Sequence, residues 1–129
     1  MSLDGVVEFV NLPSKHEDFK VVQLFRGQKP ILICGPITKN HSYILETYLT
    51  ANSQGFNRVP SKNNDKILVP ELVGTGYNVV GAGLAEIQPD ILFFQLPYGR
   101  SLDFNLERDY EFNQLIKKTL LASGKDWSF

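Results

Sequence analysis

At 129 residues the chain is the size of one domain, long enough to bury a core and too short for a catalytic domain joined to a separate binding domain. Apolar residues make up 43% and charged residues 21%, an ordinary globular balance, and the formal charge of −1 argues against general nucleic-acid binding, which rests on a basic surface. No apolar run approaches the roughly 20 residues needed to cross a bilayer, so no membrane partner is expected. Nothing near the start resembles a secretory signal, and the simplest compartment is the cytoplasm.

Residues 6–10 (VVEFV) read as a strand, followed by turn material at Asn11, Pro13 and Ser14. Residues 19–25 (FKVVQLF) and 31–34 (ILIC) read as two more, with Arg26-Gly27-Gln28-Lys29 closing a hairpin between them. After Gly35-Pro36 the period changes. Ile44, Leu45, Tyr48 and Leu49 fall three and four apart, which predicts a helix over 40–53 with Asn40 as N-cap and Gly55 as terminator. Residues 56–66 read as loop, 67–73 as a strand that Pro70 confines to an edge, and 77–87 as a strand in which Gly81 and Gly83 mark a bulge or a close backbone approach. Residues 91–96 (ILFFQL) give the clearest strand, stopped by Pro97, and the last helix is expected over 106–121 with Phe112, Leu115, Ile116 and Thr119 on its apolar face.

The order is three strands, a helix, three strands and a helix, with no internal repeat. A doubly wound parallel sheet wants a helix between most successive strands, so the pattern points to a single α+β domain over residues 1–129. A mixed sheet of five or six strands flanked by two helices is expected.

His41, one of two histidines, falls at the start of the first helix, where unpaired N–H groups and the dipole attract anions. A neutral imidazole there could attack phosphorus if something, such as a backbone carbonyl, fixed its other nitrogen; otherwise His41 is a solvated residue beside the cap. His16, in KHED, reads as a surface residue. Asp4, Asp65, Asp90 and Asp103 are scattered, and no compact metal-ligand spacing is present, so no metal is expected. The run VGTGYNVVGAGLAE lacks both the P-loop ending and a dinucleotide fingerprint, and no cofactor is expected. Cys34, inside PILICG, reads as a buried small hydrophobe. The segment PYGRS, with Gly99, Arg100 and Ser101, follows a strand where loops commonly carry ligand contacts and could hold an anion. Strand alternation puts Lys20 on one face with Val22 and Leu24, at the sheet's rim, near a ligand, or simply exposed.

At these residues the chain resembles the Janus-type phosphohistidine phosphatases. DFKVVQLF is similar to their first strand and its lysine, and KPILICGPITKNHSYIL to the strand and loop leading to the catalytic histidine. GAGLAEI resembles the glycine-rich strand, YGRSLDF the phosphate-binding loop, and QLIKK the final helix. The resemblance implies metal-independent removal of phosphate from phosphohistidine in proteins, with His41 as nucleophile. It also implies a phosphate site of Lys20, Ser42, Tyr98, Gly99, Arg100, Ser101 and Leu102, in which amides around Ser42, Ser101 and Leu102 stabilise the transferring group. The chain departs from the pattern at Leu84, where arginine is usual, at Thr38-Lys39-Asn40, and at Asp103, where a small neutral residue is typical. A carboxylate at 103 would repel phosphate.

The rival reading is a non-catalytic protein- or ligand-binding domain on a similar scaffold. It rests on aromatics in positions that do not look like core: Tyr43, Phe56, Tyr77, Tyr98, Phe104, Trp127 and Phe129. The partners expected are thus a phosphorylated protein or small anion, or a protein held by those rings.

Overall fold

The structure, a computed structural model, describes residues 6–62 and 66–129; Asp4 and the Asn-Asn-Asp run of the expected loop lie outside the described residues. Val, Ile and Phe alternate along β2 (Glu17–Arg26) and β3 (Lys29–Pro36), so each strand offers an apolar row to both faces. The two form a hairpin in which Arg26 opposes Lys29, leaving Gly27 and Gln28 as the turn. Gly27 has φ +60°, the first central position of a type II′ turn, which favours glycine. β1 (Glu8–Val10) runs parallel to β3, and β6 (Tyr77–Gln88) and β7 (Phe93–Tyr98) complete the sheet in antiparallel pairing. The order β1-β3-β2-β6-β7 is a mixed five-stranded sheet.

One helix covers each face. α1 (His41–Ala51) packs Ile44, Leu45, Tyr48 and Leu49 on Val22, Leu24, Ile31 and Ile33. α2 (Tyr110–Leu121) packs Phe112, Ile116 and Leu120 on Phe19, Val21, Leu32, Cys34, Ala85, Ile87 and Phe94. The fold is α+β, with the two helices on opposite faces of the sheet.

Several boundaries differ from the sequence reading, each for a local reason. Within the expected loop, β4 (Arg58–Pro60) pairs with β5 (Leu68–Pro70) in a ladder separate from the main sheet. α1 ends at Ala51, and the residue that turns the chain out of it is not Gly55 but Ser53, whose φ of +56° lets the Gln54 N–H close on the Leu49 carbonyl at 2.8 Å. Ile91 belongs to a short 3-10 turn, Pro89–Ile91, so β7 starts later than expected. Pro97 does not stop β7. It lies in a bulge between the Leu84–Tyr98 and Glu86–Gln95 pairs, where its missing N–H breaks no ladder bond. α2 begins at Tyr110 because Leu106 and Glu107 form β9, paired with β8 (Arg100–Ser101). The Asp109 carboxylate caps α2 by accepting from the Phe112 N–H at 2.8 Å.

Among the described residues the sheet carries one fully buried polar side chain, Gln23. Its amide nitrogen donates to Asn113 Oδ1 at 2.8 Å, and its oxygen accepts the Asp109 N–H at 2.6 Å. Asn113 in turn donates to the Pro97 carbonyl at 2.9 Å, so one network joins β2, β7 and the start of α2. A Cβ at Gly81 would overlap the Gln23 oxygen and the Asp109 backbone, which accounts for that glycine.

Candidate functional site

Four residues stand side by side across four strands near the start of α1. Gly35, Lys20, Leu84 and Tyr98 are successive cross-strand partners, so they share the face that carries Val22, Leu24 and α1. A Cβ at Gly35 would collide with the Ile44 side chain. Glycine there lets the first turn of α1 close onto the sheet, and His41 comes with it.

His41 is 6% exposed, which removes the reading of a solvated residue beside the cap. Its Nε2 lies 2.9 Å from the Gly83 carbonyl oxygen. A carbonyl only accepts, so Nε2 carries the proton, and in the neutral ring the lone pair sits on Nδ1. Among the described residues Nδ1 makes no hydrogen bond, and it is not among atoms sealed from solvent without a partner, so its lone pair is unshared and not fully enclosed. Burial holds the ring's pKa below its ordinary 6.5, helped by the Lys20 charge and opposed by the Gly83 carbonyl and Asp103. Gly83 has a steric reason of its own: a Cβ there would overlap the Tyr98 carbonyl, so only glycine lets β7 approach the strand that fixes the histidine.

The α1 N-terminus is already engaged. Asn40 holds the N-cap position, but its side chain makes no cap bond, contrary to the sequence reading. The acceptor is Asp103, 61 residues further along, whose Oδ2 takes the Ser42 N–H at 3.0 Å and the Ser42 hydroxyl at 2.8 Å. The backbone of Asp103 is held from the other side, where the Ser61 hydroxyl donates to its carbonyl. Lys20 Nζ donates to the Lys39 carbonyl at 2.8 Å and ties the segment before α1 to the sheet.

The remaining expected residues separate into two sets. Ser101 is buried beside Asp103, with its hydroxyl 3.4 Å from the Phe104 N–H, and Leu102 between them is exposed. Tyr98 exposes its ring on the face that Lys20 shares, and Gly99 turns with φ +78°. Arg100 is exposed, and its guanidinium donates to Asn105 Oδ1 at 2.7 Å. Sequence reasoning missed the Gly83 carbonyl and the Lys39 carbonyl, and read Asp103 only as a departure from a pattern rather than as the cap of α1.

Of the aromatics weighed as surface, Tyr77 is buried edge-on against Tyr48 at 6.0 Å. Phe56 and Phe104 pack on the α1 side, and Trp127 and Phe129 on the α2 side. Tyr43 and Tyr98 stand exposed, as do Ile37 and Leu102. His16 is exposed, with Nε2 3.0 Å from a Glu86 oxygen, and burial pushes the Cys34 thiol up and leaves it inert. Among the described residues no group of three or more His, Cys, Asp or Glu is arranged to hold a metal ion. No helix there is long and apolar enough to cross a membrane. Compared with family models, curated proteins and solved structures, the chain matches none.

Proposed function

We propose that the chain is a phosphohistidine phosphatase-like hydrolase of the Janus type, acting in the cytoplasm without a metal, with His41 as its nucleophile. One observation carries this reading: Nε2 is fixed on the Gly83 carbonyl while Nδ1 keeps an unshared lone pair. A ring held neutral by burial keeps that lone pair at pH 7. Nδ1 attacks phosphorus, the P–N bond of the substrate breaks, and the departing imidazole nitrogen takes a proton from water. Water then attacks the phosphorus held on His41, releasing inorganic phosphate and restoring the neutral ring. Lys20 keeps two of its three N–H donors after bonding Lys39 and supplies positive charge to the phosphoryl oxygens. The Ser42 amide, with those of Ser101 and Leu102, is the candidate oxyanion donor.

Release of phosphate from a phosphohistidine-bearing peptide, measured with a metal chelator present, tests the proposal. Wild type should turn over, and His41→Ala should lose at least about a hundredfold. Equal rates in the two proteins would overturn it.

A second reading is favoured by Asp103. Its carboxylate fills the helix start that an external phosphate would use, which suits a non-catalytic domain recognising a protein through exposed Ile37, Tyr43, Tyr98 and Leu102. Turnover that depends on His41 separates the two.

A further inference from the structure

The occupied helix start and the unoccupied Nδ1 belong to one site and ask for different things. The first turn of α1 contains no acidic residue, and Asn40 leaves the cap unmade, so an acceptor has to come from elsewhere in the chain. It comes as a full negative charge, on both donors of Ser42, close enough to act on the His41 ring. A phosphoryl oxygen seeking the Ser42 amide meets that carboxylate first, and two anions do not share one donor.

We propose that Asp103 is a built-in occupant of the phosphate position: an autoinhibitory carboxylate that must swing off the α1 N-terminus before an oxyanion binds beside His41. This rests on the hydrolase reading of the same site. The moving part is the side chain alone. Ser61 holds the Asp103 carbonyl, Phe104 is packed into the α1-side core, and Ser101 is buried, so the backbone stays in place. A destination exists as well. Asp103 also lines a cleft of about 600 Å³ whose polar lining includes Lys62, Asn78 and Asn105 as well as Glu71, so a displaced carboxylate finds a cation and amide groups there alongside one acidic neighbour. The phosphoryl group therefore binds in exchange for an internal anion, which lowers the affinity for free phosphate and leaves the site to substrates that contribute binding through the rest of their surface.

The test is titration of folded protein with inorganic phosphate, followed by calorimetry and by the NMR signals of the His41 ring. Asp103→Asn keeps the shape and an acceptor for Ser42 while removing the charge, and Asp103→Ser, run in parallel, covers the case in which asparagine fails to fold. The proposal expects either neutral variant to bind phosphate at least about tenfold more tightly than wild type. Affinity unchanged or weakened in a folded neutral variant overturns it. Hydrolysis is read separately in wild type and His41→Ala. A gain in phosphate affinity without His41-dependent turnover keeps the Asp103 exchange and removes the hydrolase. Turnover without the gain does the reverse.

Discussion

His41 is held by a single acceptor, and its protonation has consequences for stability as well as for chemistry. Its folded pKa lies below the ordinary 6.5, so above that value both folded and unfolded chains carry a neutral ring and the full contribution is present. As pH falls below 6.5 the unfolded chain takes up the proton first, and stability is lost until the folded ring protonates too. Urea midpoints followed from pH 8 down to about pH 5 should therefore fall more steeply for wild type than for His41→Gln. Parallel slopes would contradict the depressed pKa. Both His41 and Lys20 were legible from sequence, one by its place at a helix start and the other by strand alternation. The Gly83 carbonyl was not, because a backbone acceptor has no residue signature. Only the glycine that makes room for Tyr98 could be seen.

Individual strands and helices were read from hydrophobic period, and the reading held where the period ran long. β2, β3, β6 and the apolar stripe of α1 are of that kind. It failed where an element was too short to show a period, as in β4, β8 and β9 with two or three residues each. The start of α2 is the informative case. Acidic residues from 107 onward fit a helix start, yet Asp109 itself is the cap, and the preceding residues pair with the 100–101 strand. The role of Gln23, one amide within FKVVQLF, appears only once α2 is packed against it. Replacing it by leucine leaves the Asp109 N–H and the Asn113 Oδ1 without a partner, which should cost about 2–4 kcal/mol in urea denaturation. In Gln23→Leu/Asn113→Leu the loss should be smaller than the sum of the two single changes. Simple additivity would mean the network is not a unit.

At the scale of the whole molecule, the sheet's outer edge at β7 is finished by the chain's last residues. The Phe94 N–H donates to the Ser128 carbonyl at 2.9 Å, the Ser128 N–H donates to the Leu92 carbonyl at 2.8 Å, and Trp127 meets Phe94 edge-on at 6.5 Å. The four residues DWSF have no period to read, and the partners of Trp127 and Ser128 lie more than thirty positions away, so Trp127 and Phe129 read from sequence only as rings outside the core that could hold a protein. They dock on their own sheet. Removing residues 126–129 should lower stability by about 2–3 kcal/mol and expose an unpaired strand edge, seen as concentration-dependent self-association in sedimentation. An unchanged, monomeric truncation would show that the tail contributes nothing. The same architecture fixes Nε2 of His41 on the Gly83 carbonyl, and the hydrolase reading stands or falls on what Nδ1 does. The direct measurement is to incubate the protein with a phosphohistidine-bearing peptide, quench in alkali, and map phosphate on the chain by peptide mass spectrometry. The account predicts a phosphoryl group on His41 during turnover; turnover with the phosphate on another residue, or with His41 left unmodified and dispensable, would contradict it.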